Sequence, residues 1–96
     1  MPIDPRASVA ENNTSVTVGS SSTSVLTANP TRKTVILTND SDESIYVSLS
    51  GTAVMNQGIR LNSSGGAIVV DLDGIYTGAI TAICSSGSKN LCVSEL

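Results

Sequence analysis

Sixteen serines, eight carboxylates and two cysteines, with no histidine, make up the reactive inventory of this 96-residue chain. A serine becomes a nucleophile only beside a base that takes its proton, and the commonest such base is missing. Ser86-Gly87-Ser88-Lys89 fits the Ser-x-x-Lys pattern of penicillin-recognising enzymes, whose serine opens a buried helix in a far larger fold. Here the four residues fall in a glycine-containing loop between two apolar runs, so they read as a turn and no catalytic residue is assigned. Asp71-Leu72-Asp73-Gly74 has the Asp-x-Asp-Gly spacing of calcium loops. Calcium takes about six to eight oxygens, normally including a bidentate carboxylate farther along, and the next acidic residue is Glu95. A β-turn whose aspartates bond their own backbone is the better reading, and Asp40, Asp42 and Glu43 likewise read as a solvated acidic turn. Cys84 and Cys92 flank a predicted hairpin loop over residues 85–90. They are expected as two partly buried thiols, with a cross-strand disulfide the alternative. With so few thiolates and no imidazole, no metal ligand and no cofactor are expected.

The elements that would position these groups are strands. Residues 15–19 alternate, with Val16 and Val18 on one face; residues 23–27 form a second short run, and residues 28–31 a turn that Pro30 is placed to start. Residues 32–39 are the strongest strand, with Val35 and Leu37 sharing a face. In residues 44–50, Ile45, Val47 and Leu49 point inward while Tyr46, Ser48 and Ser50 point out. Residues 51–58 are a weakly patterned connection. Short strands at 59–61 and 67–71 follow, and residues 78–84 and 90–94 are expected to close the chain as a hairpin. Seven or eight short strands separated by Gly/Ser/Asn/Asp turns predict an all-β fold, a small antiparallel β-sandwich or jelly-roll-like barrel. Residues 1–14, with Pro2, Pro5 and a polar run, lack any periodicity and are expected as an extended arm outside a domain of residues 15–96.

Composition bounds the rest. Ninety-six residues make one domain. Tyr46 and Tyr76 are the only aromatics, so the core must be a thin layer of branched aliphatics and a good candidate for support by a partner. Net charge is −3 and the only adjacent cations are Arg32 and Lys33, too few for phosphate neutralisation, so nucleic acid is not an expected partner. No run approaches the roughly 20 apolar residues of a membrane span. Residues 1–9 lack the apolar stretch of a secretory leader, and a cytosolic site of synthesis is expected. The two tyrosines are the natural contact residues, since outward tyrosines often anchor interfaces, with capping of the sheet's second face the alternative in a core so short of aromatics.

Several stretches resemble a group of small tailed-bacteriophage virion proteins. They are Val25-Leu26-Thr27-Ala28-Asn29-Pro30-Thr31-Arg32-Lys33, Asn39-Asp40-Ser41 with Ile45-Tyr46-Val47-Ser48-Leu49, Gly58-Ile59-Arg60-Leu61-Asn62, Tyr76-Thr77-Gly78-Ala79-Ile80, and Cys92-Val93-Ser94-Glu95. The likeness spans roughly residues 15–96 and lies in turns and strands rather than in a catalytic signature. It implies a non-enzymatic β-sandwich of the virion, assembled in the host cytoplasm: a capsid decoration (cement) protein that binds the major capsid protein. A homo-oligomer, with a trimer favoured, is expected. Lattice contacts are expected from Pro2, Ile3, Asp4, Pro5 and Arg6 of the arm and from Tyr46 and Tyr76. The alternative is a tail or fibre module that binds a host-surface glycan or protein through Tyr46, Tyr76 and residues 51–58.

Overall fold

The computed structural model of the chain describes residues 12–70 and 76–95. Eight strands run through them: β1 (Asn12–Val18), β2 (Thr23–Leu26), β3 (Val35–Asn39), β4 (Ile45–Ser48), β5 (Ile59–Leu61), β6 (Ala67–Val70), β7 (Ile80–Cys84) and β8 (Lys89–Glu95). Among the described residues there is no helix. The strands form two four-stranded antiparallel sheets, ordered β1-β8-β3-β6 and β2-β7-β4-β5. The pairings are nested, with β1 on β8, β2 on β7, β3 on β6 and β4 on β5. Wrapping that long hairpin round itself adds the pairs β3–β8 and β4–β7. This is the connectivity of a jelly roll, an architecture of two sheets.

Alternation decides which side chains enter the space between the sheets. In β3 and β4 every second residue is buried, so that Val35, Leu37, Ile45 and Val47 have no exposed surface. From the first sheet Val18, Leu91 and Val93 complete the layer, and from the second Val25, Leu61, Ile80, Ala82 and Cys84 do so. The core is therefore aliphatic and one layer thick. Tyr76 packs against its margin and is only partly buried. β7 departs from alternation, since all five of its residues are buried. Its outward Thr81 donates to the Ser50 carbonyl at 3.2 Å, and the N–H of buried Ala53 reaches the Ser22 hydroxyl at 2.8 Å. The segment after β4 thus folds across the outer face of the second sheet.

Several boundaries differ from those the sequence predicts. The expected arm, residues 1–14, loses its last three residues to β1, which pairs with β8 from Asn12 onward. Their polarity conceals the strand: β1 is an edge strand and Asn13, Thr14 and Ser15 all remain exposed. Residues 1–11 lie outside the described residues. The expected hairpin of residues 78–84 with 90–94 does not form, because β7 and β8 belong to different sheets. A turn between two apolar runs dictates a change of direction, not whether the second run returns to its neighbour or crosses the core. The run expected from residue 32 begins at Val35, since Arg32 turns inward to serve the loops. The predicted turn at Pro30 is present: the Arg32 N–H donates to the Asn29 carbonyl at 3.1 Å, with Pro30 in its second position.

Leu37→Ala should cost about 2–5 kcal/mol, because the two sheets cannot close on the void. Val69, which is 56% exposed on β6, supplies the control, with Val69→Ala staying within about 0.5 kcal/mol. Urea unfolding of both variants checks the contrast.

Candidate binding surface

The chemistry-bearing side chains bond to one another and to backbone at the two ends of the sandwich. At one end, the Ser86 hydroxyl and backbone N–H donate to the two oxygens of Glu43 at 2.6 and 2.8 Å. Lys89 Nζ donates to Asp42 at 2.7 Å and the Asn90 amide to Asp40 at 3.3 Å. The Ser-x-x-Lys residues thus reach across to the β3–β4 turn, Ser86 to one carboxylate and Lys89 to another. The hydroxyl of Ser86, followed by its N–H, holds the Glu43 carboxyl below its ordinary range. The hydrogen bond from Lys89 and then its charge do the same for Asp42, and that bond raises Lys89 in turn.

At the other end lies Arg32, whose side chain is fully buried. Its Nε donates to Glu95 at 2.8 Å, and its terminal nitrogens donate to the carbonyls of Tyr76, Gly78 and Thr27 at 2.7, 3.1 and 2.9 Å. Asn29 adds an amide bond to the same Glu95 oxygen at 3.3 Å. One guanidinium therefore ties β8 to the loops before β3 and before β7. A planar fork of donors suits this task as an ammonium does not.

Cys84 faces the core, its thiol against the carbonyls of Val18 and Gly19 at 3.4 and 3.5 Å, and burial pushes its pKa up. Cys92 lies on the outer side of the first sheet, and both cysteines are free. Facing each other across a hairpin, as the flanking loop suggests, is ruled out because they occupy different sheets. Among the described residues no group of three or more His, Cys, Asp or Glu could hold a metal, and no helix is long and apolar enough to cross a membrane.

What remains for binding is the outer face of the first sheet. Register places Asn13, Ser94, Ile36 and Val69 in one cross-strand row and Ser15, Cys92, Thr38 and Ala67 in the next, with Thr17 and Asn90 beyond. None of these ten residues is charged, in a chain with thirteen charged side chains. Ile36 and Val69 stand opposite each other and give the face an apolar side. Toward β1 it is hydroxyl and amide. Interface centres are distinguished by such depletion of charge more than by bulk hydrophobicity. The second sheet differs, since exposed Arg60 sits beside Tyr46 on its outer side.

Of the contact residues expected from sequence, Pro2, Ile3, Asp4, Pro5 and Arg6 lie outside the described residues. Tyr46 is half-buried on the outer face of the second sheet, between Arg60 and Ile83. Tyr76 leans on the core margin at the Arg32 end. The structure does not bring the two tyrosines onto one face. The uncharged face itself was hidden, because its rows join four strands whose order no local pattern specifies. No family model, curated protein or solved structure matches the chain.

Arg32→Met removes the counter-charge of Glu95 and the donor of three carbonyls and should cost about 3–5 kcal/mol, against under about 0.5 kcal/mol for exposed Arg60→Met; urea titrations decide. The carboxyls of Asp42 and Glu43 are held low in the fold. Their contribution is therefore present above the unfolded values near pH 4 and lost as pH falls through the folded ones. Ser86→Ala should lower Tm near pH 7, and the gap from the parent should narrow in thermal melts toward about pH 2.5.

Proposed function

We propose that this chain is a non-enzymatic bacteriophage virion protein, a capsid decoration protein that binds and stabilises the major capsid lattice. The observation that carries the reading is the uncharged outer face of the first sheet, with the Ile36–Val69 pair in its first row. It is joined by polar ends at which Ser86, Glu43, Glu95 and the buried Arg32 are engaged in holding loops together. A cement protein needs a small rigid body and a surface that adheres, repeated over a shell so that weak contacts sum to avidity. The resemblance in the turns and strands points the same way, and jelly rolls occur among viral capsid domains. Fold alone does not decide function; the uncharged face and the sequence likeness do the arguing.

One observation favours a second reading, a tail or fibre module that grips a host-surface glycan or protein. Tyr46 and Arg60 stand side by side on the second sheet, an aromatic with a planar cation, and that pairing suits a sugar or a peptide.

Quantitative mass spectrometry of purified particles separates the two. Hundreds of copies per particle are expected for decoration, whereas a handful would overturn it in favour of the tail. Ile36→Asp with Val69→Asp should lower occupancy on undecorated heads at least tenfold while leaving circular dichroism unchanged. Deleting residues 2–11, which spares β1, tests the separate contribution of the arm, and full occupancy would remove it.

A further inference from the structure

The two sheets end in four edge strands, β1 and β6 in one and β2 and β5 in the other. An open edge offers unpaired N–H and C=O groups to any other strand, and proteins blunt such edges with brevity, charge, bulges or proline. Three of the four are blunted. β2 has four residues and a register break between Ser24 and Leu26. β5 has three residues, carries exposed Arg60 and follows Gly58, whose φ is 85°. β6 has four residues and follows Gly65-Gly66. β1 has seven residues in unbroken register with β8, and contains no proline, glycine or charge. Among the described strands it is the long edge without such a device.

We propose that β1 pairs with β1 of a second copy across a two-fold axis at Ser15, joining two first sheets into one of eight strands. The strand is suited to itself. An antiparallel pair centred on Ser15 sets Asn13 opposite Thr17 on the outer side, amide against hydroxyl. On the inner side it sets Thr14 opposite Val16. Thr14 occupies an inward register position, level with buried Val93 and Leu37, yet is exposed, since no other described strand flanks β1 there. Val16 packs against the core and is only partly buried. The second copy brings its Val16 to the exposed Thr14, and the reverse holds by symmetry, as an isologous contact requires. Among the described residues, the charges level with the ends of the strand are Glu95, in register with Asn12, and Lys89, in register with Val18. Across the axis the Glu95 end of one copy meets the Lys89 end of the other, so these two are opposed as unlike charges in a chain of net charge −3.

The seam is about 24 Å long and roughly 10 Å thick at strand spacings. It covers on the order of 500 Å², short of the roughly 1,200 Å² of stable complexes. The pair is therefore concentration-dependent in solution and gains from being held close on a surface. It is two-fold by construction, so a dimer is expected in place of the trimer favoured from sequence. The inference stands independently of what the outer face binds.

Crosslinking on the axis tests it. Two residues facing across a two-fold antiparallel axis have Cα atoms about 4.5–5.5 Å apart, within reach of a disulfide. Ser15 is also in register with Cys92, so the variants carry Cys92→Ser to prevent a bond within one copy. Under mild oxidation Ser15→Cys should give a covalent dimer in high yield. Thr17→Cys, whose own symmetry mate is about four residues away along the strand, should give at most a tenth as much. Sedimentation velocity of the parent chain should show a monomer–dimer equilibrium that Ser15→Lys weakens about tenfold through like charges on the axis. A monomer at every concentration, equal crosslinking of both cysteine variants, or a trimer indifferent to Ser15→Lys would each overturn the proposal.

Discussion

The pairing of β1 with β8, which sets Asn12 beside Glu95, is the constraint from which the rest of the fold follows. β8 lies between β1 and β3, so its register fixes both neighbours at once. Val93 must lie level with Leu37, and Leu37 with Ile68. A slip of one residue would turn Cys92 and Thr38 inward and expose Val93 and Leu37. The interior, the outer face and the free edge are thus consequences of one ladder between distant parts of the chain. Contacts so remote in sequence form late, and a chain held by them folds slowly for its size.

A layer built from valine, leucine and isoleucine closes well along its length and poorly at its ends, where a larger protein would place an aromatic ring. Here each end is closed by a buried polar side chain. Arg32 occupies one end and gathers three loop carbonyls. Asn39 occupies the other, fully buried beside Leu91. Its amide donates to the carbonyls of Glu43 and Leu61 at 2.7 and 2.9 Å, and its oxygen accepts from Ser41 at 2.6 Å. Leu61 belongs to the opposite sheet, so this amide staples the two layers. Such groups are expensive to bury unless fully bonded, and here every buried side-chain nitrogen and oxygen among the described residues has a partner.

The inward rhythm of β3 and β4 was legible in the sequence, because valine, leucine and isoleucine alternate there with polar residues. The turn at Pro30 was legible for the same local reason. The first residues of β1 were not, since Asn12, Asn13 and Thr14 carry no apolar signal and are held by their pairing with β8. Nor was the crossing from β7 to β8, where the turn fixes a reversal and the core fixes the destination. Arg32 looked like the start of a strand because nothing in its neighbours foretells Glu95, sixty-three residues away. The uncharged face fell between these cases. Each strand displayed its polar side, and only the order β1-β8-β3-β6 made the four sides one surface.

The two outer faces are treated differently, and the difference has a thermodynamic meaning. On the second sheet outward Thr81 and Ile83 are both buried, Thr81 bonded to the segment after β4. On the first sheet Val69 stays more than half exposed beside Ile36. A domain with so thin a core has little stability to spare, and an uncovered face is where a partner can add some. Whatever binds the folded chain and not the unfolded one raises its stability in proportion to the logarithm of partner concentration over Kd. On a repeating surface that concentration is high and permanent. An adhesive face on a slender sandwich would then be firmest where it is attached, without needing the heavier core that independence would demand.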